Sequence, residues 1–323
     1  MSTAAAQMAR RRVLSGELAG FMYRVAGVVL VCVGLSLATD AFLTVSNLLN
    51  VLRQASLIFL VASGVTLVVL TAGLDLSVGA NVGLSACLAA AAIKSGAVEL
   101  GIVTGLASGT GIGLLNGLMV TRLRVPPFIA TYGMLWVVHG ITYWYMDGQT
   151  IYDFPERFRA LGSGYLLGVP IPVYLMTACL AAGGVFTRYT IWGHQIYAIG
   201  ANPEAARLSG VPVRMRLNLV YTLSGAMAGL ASIVYLARLN SAEADIGEPL
   251  MLPAIAAILI GGTSLFGGIG SLSGTLVGAI LLTLVLNGMN LLTVGANWQP
   301  LVTGVIVLLA VWIDVATRRR AGG

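Results

Sequence analysis

Residues 194–218, HQIYAIGANPEAARLSGVPVRMRLN, form a polar stretch in the middle of a chain that is otherwise mostly apolar. Within it Asn202 is a residue type that caps a helix, Pro203 suits the first helical position, where no amide donor is missed, and Gly210 suits a left-handed exit. The spacing predicts a helix over 203–209. Two turns are too few to be stable alone in water, because nucleation is costly and few bonds follow it. Such a helix needs support. With Ala205, Arg207 and Leu208 turned outward it has the make-up of a plug for a socket on a partner. The plainer alternative is an ordinary interhelical loop.

The surroundings of this stretch explain why its polarity stands out. Of 323 residues, 58% are hydrophobic and 9% charged, whereas soluble domains run at roughly a quarter charged. The composition is that of a polytopic, all-α membrane protein. The 41 glycines lie inside apolar runs, where membrane helices use them for close packing. The net charge of +6 would suggest nucleic acid in a soluble domain, but here the arginines flank apolar runs, so their asymmetry reads as topology. Cys32, Cys87 and Cys179 sit in separate apolar segments without metal-ligand spacing and read as small core residues. Arg10, Arg11 and Arg12 before the first apolar run resemble a signal-peptide start, yet the spans that follow favour an uncleaved first helix.

Apolar stretches able to cross a bilayer core of about 30 Å occur near 21–38, 55–72, 77–93, 98–120, 128–146, 171–187, 217–237, 251–263, 272–290 and 300–316. This predicts about ten transmembrane helices with both termini on one side. With the N-terminus inside, the cytoplasmic ends collect Arg10, Arg11, Arg12, Arg24, Arg122, Arg124, Arg188, Arg207, Arg214, Arg216, Arg318, Arg319 and Arg320. Only Arg53, Lys94, Arg157, Arg159 and Arg238 fall on the other side, so the positive-inside bias makes both termini cytoplasmic. Asp147, Asp153, Glu156, Glu243, Asp245 and Glu248 are expected on outer loops. The layout is a short N-terminal segment at 1–20, a single membrane domain at 21–316 and a tail at 317–323. A cytoplasmic loop spans about 188–216, and a long outer loop spans about 147–170, with a short helix expected near Pro155. That outer loop either receives a soluble partner or is a solvated connection.

Gly101, Gly105, Gly109, Gly113 and Gly117 recur every fourth residue. Four residues overshoot a helical turn by about 40°, so the stripe winds slowly round its helix and admits a crossing neighbour. Shorter versions occur at Gly79 and Gly83, at Gly225 and Gly229, and at Gly270, Gly274 and Gly278. Segments 68–84, VVLTAGLDLSVGANVGL, and 257–279, AILIGGTSLFGGIGSLSGTLVGA, each end one apolar run in small residues and begin another. Paired broken segments of this kind point to an internal repeat around a pathway.

Several chemistries are excluded. The only lysine, Lys94, follows Ile93, so no nucleotide-binding P-loop is present. His139 and His194 are not in metal spacing, and no catalytic triad is suggested, so no catalytic or metal site is assigned. Asp75 is the acidic residue nearest a membrane interior and is a site candidate by default. Its alternative role is to cap the helix that starts near Ser77 or to bind a surface arginine. Asn81, Asn116, Thr142, Tyr143, Asn287 and Asn290 offer uncharged donors and acceptors that suit a neutral polyhydroxylated solute along a pathway, although such residues also bond helix to helix. Intramembrane charge is too scarce for an ion-driven carrier, so energy for uphill transport has to enter from outside the chain, through the cytoplasmic loop.

FLTVSNLLNVLRQAS from Phe42, GVTLVVLTAGLDLSVGA from Gly64, VPPFIAT from Val125, YAIGANPEAARLSGV from Tyr197 and AIAAILIGGTSLFGGIGSLSGTLVGA from Ala254 together resemble the permease subunit of ribose-type ABC importers for monosaccharides. The resemblance runs from about Asp40 to Asp314. It implies a multi-pass protein of the bacterial inner membrane and a second permease copy, identical or a paralogue. It also implies a periplasmic sugar-binding protein outside and ATPase subunits inside, which hold the ATP and Mg, leaving no cofactor in this chain. The family's coupling helix corresponds to Asn202, Pro203, Glu204, Ala205, Ala206, Arg207, Leu208, Ser209 and Gly210. Glu204 and Arg207 would set its docking register, and Ala205, Ala206 and Leu208 would fill the socket. The implied cargo is a neutral sugar or polyol, ribose-, xylose- or galactose-like. A stand-alone carrier or channel, or the same architecture importing an amino acid or nucleoside, stays open.

Overall fold

The computed structural model describes residues 22–321. The N-terminal segment expected at 1–20, with Arg10, Arg11 and Arg12, lies outside the described residues, as do 322–323. Thirteen α-helices make up nearly all of what is described: α1 (Met22–Ala38), α2 (Val45–Leu70), α3 (Val78–Lys94), α4 (Val98–Thr121), α5 (Pro127–Met146), α6 (Glu156–Ser163), α7 (Ile171–Tyr189), α8 (Ile191–Ala201), α9 (Pro203–Leu208), α10 (Val213–Leu239), α11 (Glu248–Ile260), α12 (Leu272–Leu291) and α13 (Gln299–Ala321). Two short antiparallel ribbons join them, β1 (Ile151–Tyr152) with β4 (Ser241–Ala242) and β2 (Tyr165–Leu166) with β3 (Val169–Pro170).

Each of the ten apolar stretches falls on a helix, but those helices differ in reach. Six stretches are long and apolar enough to cross a membrane: α2, α4, α7, α10, α12 and Ala296–Ala316, which includes most of α13. The apolar helices α1, α3 and α11 are shorter, and α11 has only 13 residues. At 1.5 Å per residue α11 covers about 20 Å, less than a bilayer core of about 30 Å. Helix α5 has 20 residues, but Tyr, Trp and His dilute its apolar character.

Helix α2 lies at the centre and is buried at every residue from Ala55 to Leu70, as expected of a helix that is hydrophobic all round. It begins ten residues before the apolar run at 55. The Thr44 hydroxyl accepts from the Asn47 amide at 3.3 Å and caps a first turn whose Ser46, Asn47, Asn50, Arg53 and Gln54 hide it from a hydropathy reading. Its end is equally local. The Gly73 amide donates back to the Val68 carbonyl, and Ala72 takes a left-handed φ of 60°.

The glycine stripe of α4 is buried throughout and changes partner along its length. Gly101 lies against Ile93 and Ala89 of α3, Gly105 touches both Ala89 of α3 and Ile233 of α10, and Gly109, Gly113 and Gly117 lie closest to α10. The drift of about 40° per four residues accounts for this hand-over. The contact is reciprocal, because Gly225 and Gly229 of α10 face the stripe. A Cβ on Gly109 would stand 2.7 Å from Gly229 Cα, and one on Gly225 2.7 Å from Gly113 Cα. The same device joins α3 to the start of α11 through Gly79, Gly83 and Gly247, and α11 to α12 through Gly261, Gly274 and Gly278.

The two helix–break–helix segments meet each other. The Gly268 amide in the 261–271 break donates to the Leu70 carbonyl at 3.0 Å, and the Thr66 and Thr275 hydroxyls bond at 2.8 Å. On the opposite side the 147–170 connection folds onto the bundle, with α6 starting after Pro155 and Phe154 and Phe158 buried beneath it.

The α4–α10 contact generates a paired prediction. Gly113→Ala forces a Cβ into the α10 backbone and should lower stability by about 1–3 kcal/mol, seen as a drop of several degrees in the melting temperature in detergent. Gly111→Ala, where a Cβ meets nothing within 4 Å, should leave that temperature unchanged or raise it slightly. Equal melting temperatures for the two variants would count against the close approach.

Candidate functional site

Helix α9 is built by the residues that the sequence marks for it. The Asn202 side chain accepts from the Glu204 and Ala205 amides, both at 3.0 Å, so it satisfies two of the first-turn donors. The exit is closed by the Gly210 amide on Arg207 O and the Val211 amide on Ala206 O, with Gly210 at φ 83°. Glu204, Ala205, Arg207 and Leu208 are exposed, and Leu208 keeps 75% of its surface. Ala206 is buried within its own chain. It is unavailable to fill a partner's socket and instead seats α9. Arg207 donates to Glu204 through Nε at 3.0 Å and through Nη2. That contact holds the Glu204 carboxyl below its ordinary range and raises Arg207.

The six residues of α9 are held by α8, and α8 is tied down at three places. The buried Arg216 side chain of α10 donates to Gln195 Oε1 and stacks on Trp192 with its guanidinium carbon 5.1 Å from the ring centre. The Tyr197 hydroxyl donates to the Gly270 carbonyl at 2.9 Å. Gly200 packs against Leu70 O and Gly268 N so closely that no side chain fits. Helix α8 thus joins α9 to the end of α2, the 261–271 break and α10.

The polar residues singled out along the spans are mostly engaged with neighbouring helices. Asp75 is buried in the 71–77 break, where one oxygen accepts from the Ser77 amide (3.1 Å) and hydroxyl (2.7 Å) and the other from Ser224 of α10 (2.9 Å). The expected surface arginine is not its partner. Asn116 donates to the Ser77 hydroxyl at 2.7 Å and joins the same cluster. Asn81 donates to the Gly109 carbonyl and accepts from Ser85. Asn287 and Asn47 exchange amide bonds at 2.8 and 3.1 Å, Asn290 accepts from Gln299, and the Thr142 hydroxyl is turned back onto its own helix at Val138. Tyr143 differs, being exposed on α5 with its ring 4.7 Å from that of His139.

Tyr143 belongs to a row of rings that the sequence reading passed over. Phe128, Tyr132, Trp136, His139 and Tyr143 follow one another along α5 with ring centres 4.7–6.4 Å apart. Tyr132, Trp136 and His139 form one wall of a cleft of about 200 Å³, opposite Asp245, Glu248 and the start of α3 at Gly79. Asp245, on the connection between α10 and α11, and Glu248, at the start of α11, thus lie beside the middle of α5. The available signals were the three- and four-residue spacing of the rings and the two acids three residues apart.

Comparison with known proteins identifies the family. The family described as "Branched-chain amino acid transport system / permease component" matches residues 47–311. The chain is similar to the ribose import permease protein RbsC of Bacillus subtilis (strain 168), 39% identical over 291 residues that cover 89% of this chain and 90% of that one. With the ribose import permease protein RbsC of Escherichia coli (strain K12) it shares 42% identity over 278 residues, 84% of this chain and 87% of that one. The galactose/methyl galactoside import permease protein MglC of Haemophilus influenzae is 34% identical over 308 residues, 89% of this chain and 92% of that one. No solved structure matches the chain.

Removal of the α9 cap is directly measurable. Asn202→Ala leaves the Glu204 and Ala205 amides without their acceptor and should cost about 1 kcal/mol. Amide hydrogen exchange at 204 and 205 should then run roughly fivefold faster, while exchange in α2 stays as it was.

Proposed function

The chain belongs to the family of permease components of branched-chain amino acid transport systems, and on that premise we propose that it is the membrane-spanning subunit of an ATP-driven importer of a neutral monosaccharide or polyol. A periplasmic binding protein delivers the cargo, and the permease passes it to the cytoplasm by alternating access. The chain has no catalytic role of its own, and separate ATPase subunits hold the ATP and Mg. The layout in the bacterial inner membrane has about ten spans and cytoplasmic termini. The domain at 21–316 is flanked by segments 1–20 and 317–323, and a second permease, identical or related, completes the pathway. The import of ribose and of galactose by proteins similar over most of this chain supports a sugar as cargo.

The observation that carries the coupling role is α9 itself, a short capped helix that presents Leu208 and the Glu204–Arg207 pair while its own chain holds it rigidly from behind. Closure of the ATPase pair moves the docked α9, and α8 hands that motion to the 261–271 break and α10. Ala205 and Leu208 occupy the socket, and the ion pair sets register. Of the polar span residues, Tyr143 faces the pathway, whereas Asp75, Asn81, Asn116, Asn287 and Asn290 brace the helices that shape it.

Leu208→Asp puts an unpaired carboxylate into the apolar socket. Sugar uptake by the assembled importer should fall roughly a hundredfold or more, with the amount of permease in the membrane unchanged. Full uptake by that variant would refute the assignment of α9. Uptake that survives ATP depletion and collapses with the ion gradient would favour a secondary carrier instead.

A further inference from the structure

The cleft between α3, α5 and the start of α11 carries two carboxylates that do not belong on a lipid-facing surface. Asp245 and Glu248 are exposed, neither has a salt-bridge partner among the described residues, and both face the middle of α5. An ionisable side chain within a membrane domain faces either the bundle interior or a water-filled path, because acyl chains cannot solvate it. This face of the chain is therefore part of an aqueous route or of a protein-covered one. At about 200 Å³ the cleft is smaller than the ~300–1,000 Å³ sites of drug-sized ligands. Its occupant is small.

The chemistry of the walls narrows the class further. Tyr132 and Trp136 are T-shaped to each other at 6.4 Å, so they present one ring face and one ring edge, and both keep about half of their surface exposed. Opposite them, the Asp245 and Glu248 side chains offer oxygen acceptors with room for paired donors. A flat apolar wall facing an acceptor wall fits a ring that has C–H groups on its face and hydroxyls on its edge. No Lys or Arg lines the cleft, so a carboxylate or phosphate on the cargo would meet like charge without compensation. The N-terminus of the short helix α11 would otherwise suit an anion, but Glu248 in its first turn and Asp245 before it reverse that preference.

We propose that this cleft is the permease's own contact site for its cargo, a neutral polyhydroxylated ring of monosaccharide size. Trp136 and Tyr132 take the face of the ring, and Asp245 and Glu248 accept from its hydroxyls. The proposal rests on the import reading above and adds a specificity element to it: within a family described by branched-chain amino acids, the paired acids and the lack of a cation turn this member against a free carboxylate.

The test uses the full importer in liposomes, with binding protein outside and ATPase inside, and labelled D-ribose, D-galactose, D-xylose, erythritol and L-leucine as probes. Wild type should take up at least one of the four neutral solutes and not leucine; leucine uptake, or uptake of none of the four, overturns the proposal. For the transported solute, Trp136→Ala and Glu248→Gln should each lower uptake roughly tenfold, while ATP hydrolysis stimulated by the binding protein stays within about twofold of wild type. Trp136→Phe keeps a ring and should retain most uptake. Wild-type uptake by Trp136→Ala and Glu248→Gln overturns the cleft as a cargo site. A parallel loss of uptake and ATP hydrolysis in Trp136→Ala and Trp136→Phe alike also overturns it, in favour of a packing role. Loss of uptake in Leu208→Asp alongside unaffected cleft variants leaves the import reading standing and removes only the cleft.

Discussion

The contact on which the rest of the structure depends is the approach of α4 to α10 through glycine on both sides. In lipid, apolar side chains gain little by leaving one apolar environment for another, so helices associate through dispersion, hydrogen bonds and close fit. Removing every Cβ at Gly109, Gly113, Gly225 and Gly229 brings the two backbones within reach of each other. Helix α10 can then also lie along α2, where Ser224 meets Asp75, and can carry Arg216 to α8. A side chain in the α4 groove would push α10 outward and separate all of these contacts together.

The two breaks of the fold, at 71–77 and 261–271, are held by the same economy of space. Gly200 of α8 and Gly267 and Gly268 of the second break crowd the end of α2, and two hydrogen bonds, Gly268 to Leu70 and Tyr197 to Gly270, fix the arrangement. Non-helical backbone within a membrane domain is tolerated where other protein satisfies it, and here the second break bonds the end of α2 and α8, while Thr131 of α5 bonds Leu74 in the first. The exposed helix α9 is thereby joined to the interior through short connections.

Much of this was legible in the sequence because it depends on local chemistry. The ten apolar runs mark ten helices, and Asn202, Pro203 and Gly210 place α9 within a residue, since capping is decided by neighbours three or four positions away. The first turns of α2 were missed, because Asn47 and Arg53 look like loop residues until the Asn287 side chain, 240 positions later, comes to bond Asn47. Of the two structural roles expected for Asp75, the one at the start of α3 is seen in its bonds to Ser77, whereas in place of a surface arginine it meets Ser224, a tertiary partner that no local pattern announces. The aromatic row of α5 was passed over, and only the fold brings Asp245 and Glu248 opposite it.

The reciprocal glycine contact also bears on the order in which the protein is made. More than a hundred residues separate Gly113 from Gly225, so the groove on α4 leaves the ribosome on the order of ten seconds before the surface that fits it. During that interval the first five helices have to remain in the bilayer with a cleft along α4 filled by acyl chains or by a neighbouring protein. The α4–α10 contact joins the early half of the chain to the late half. Insertion of the spans depends on local hydropathy, whereas this contact depends on two glycine faces that are far apart in the chain.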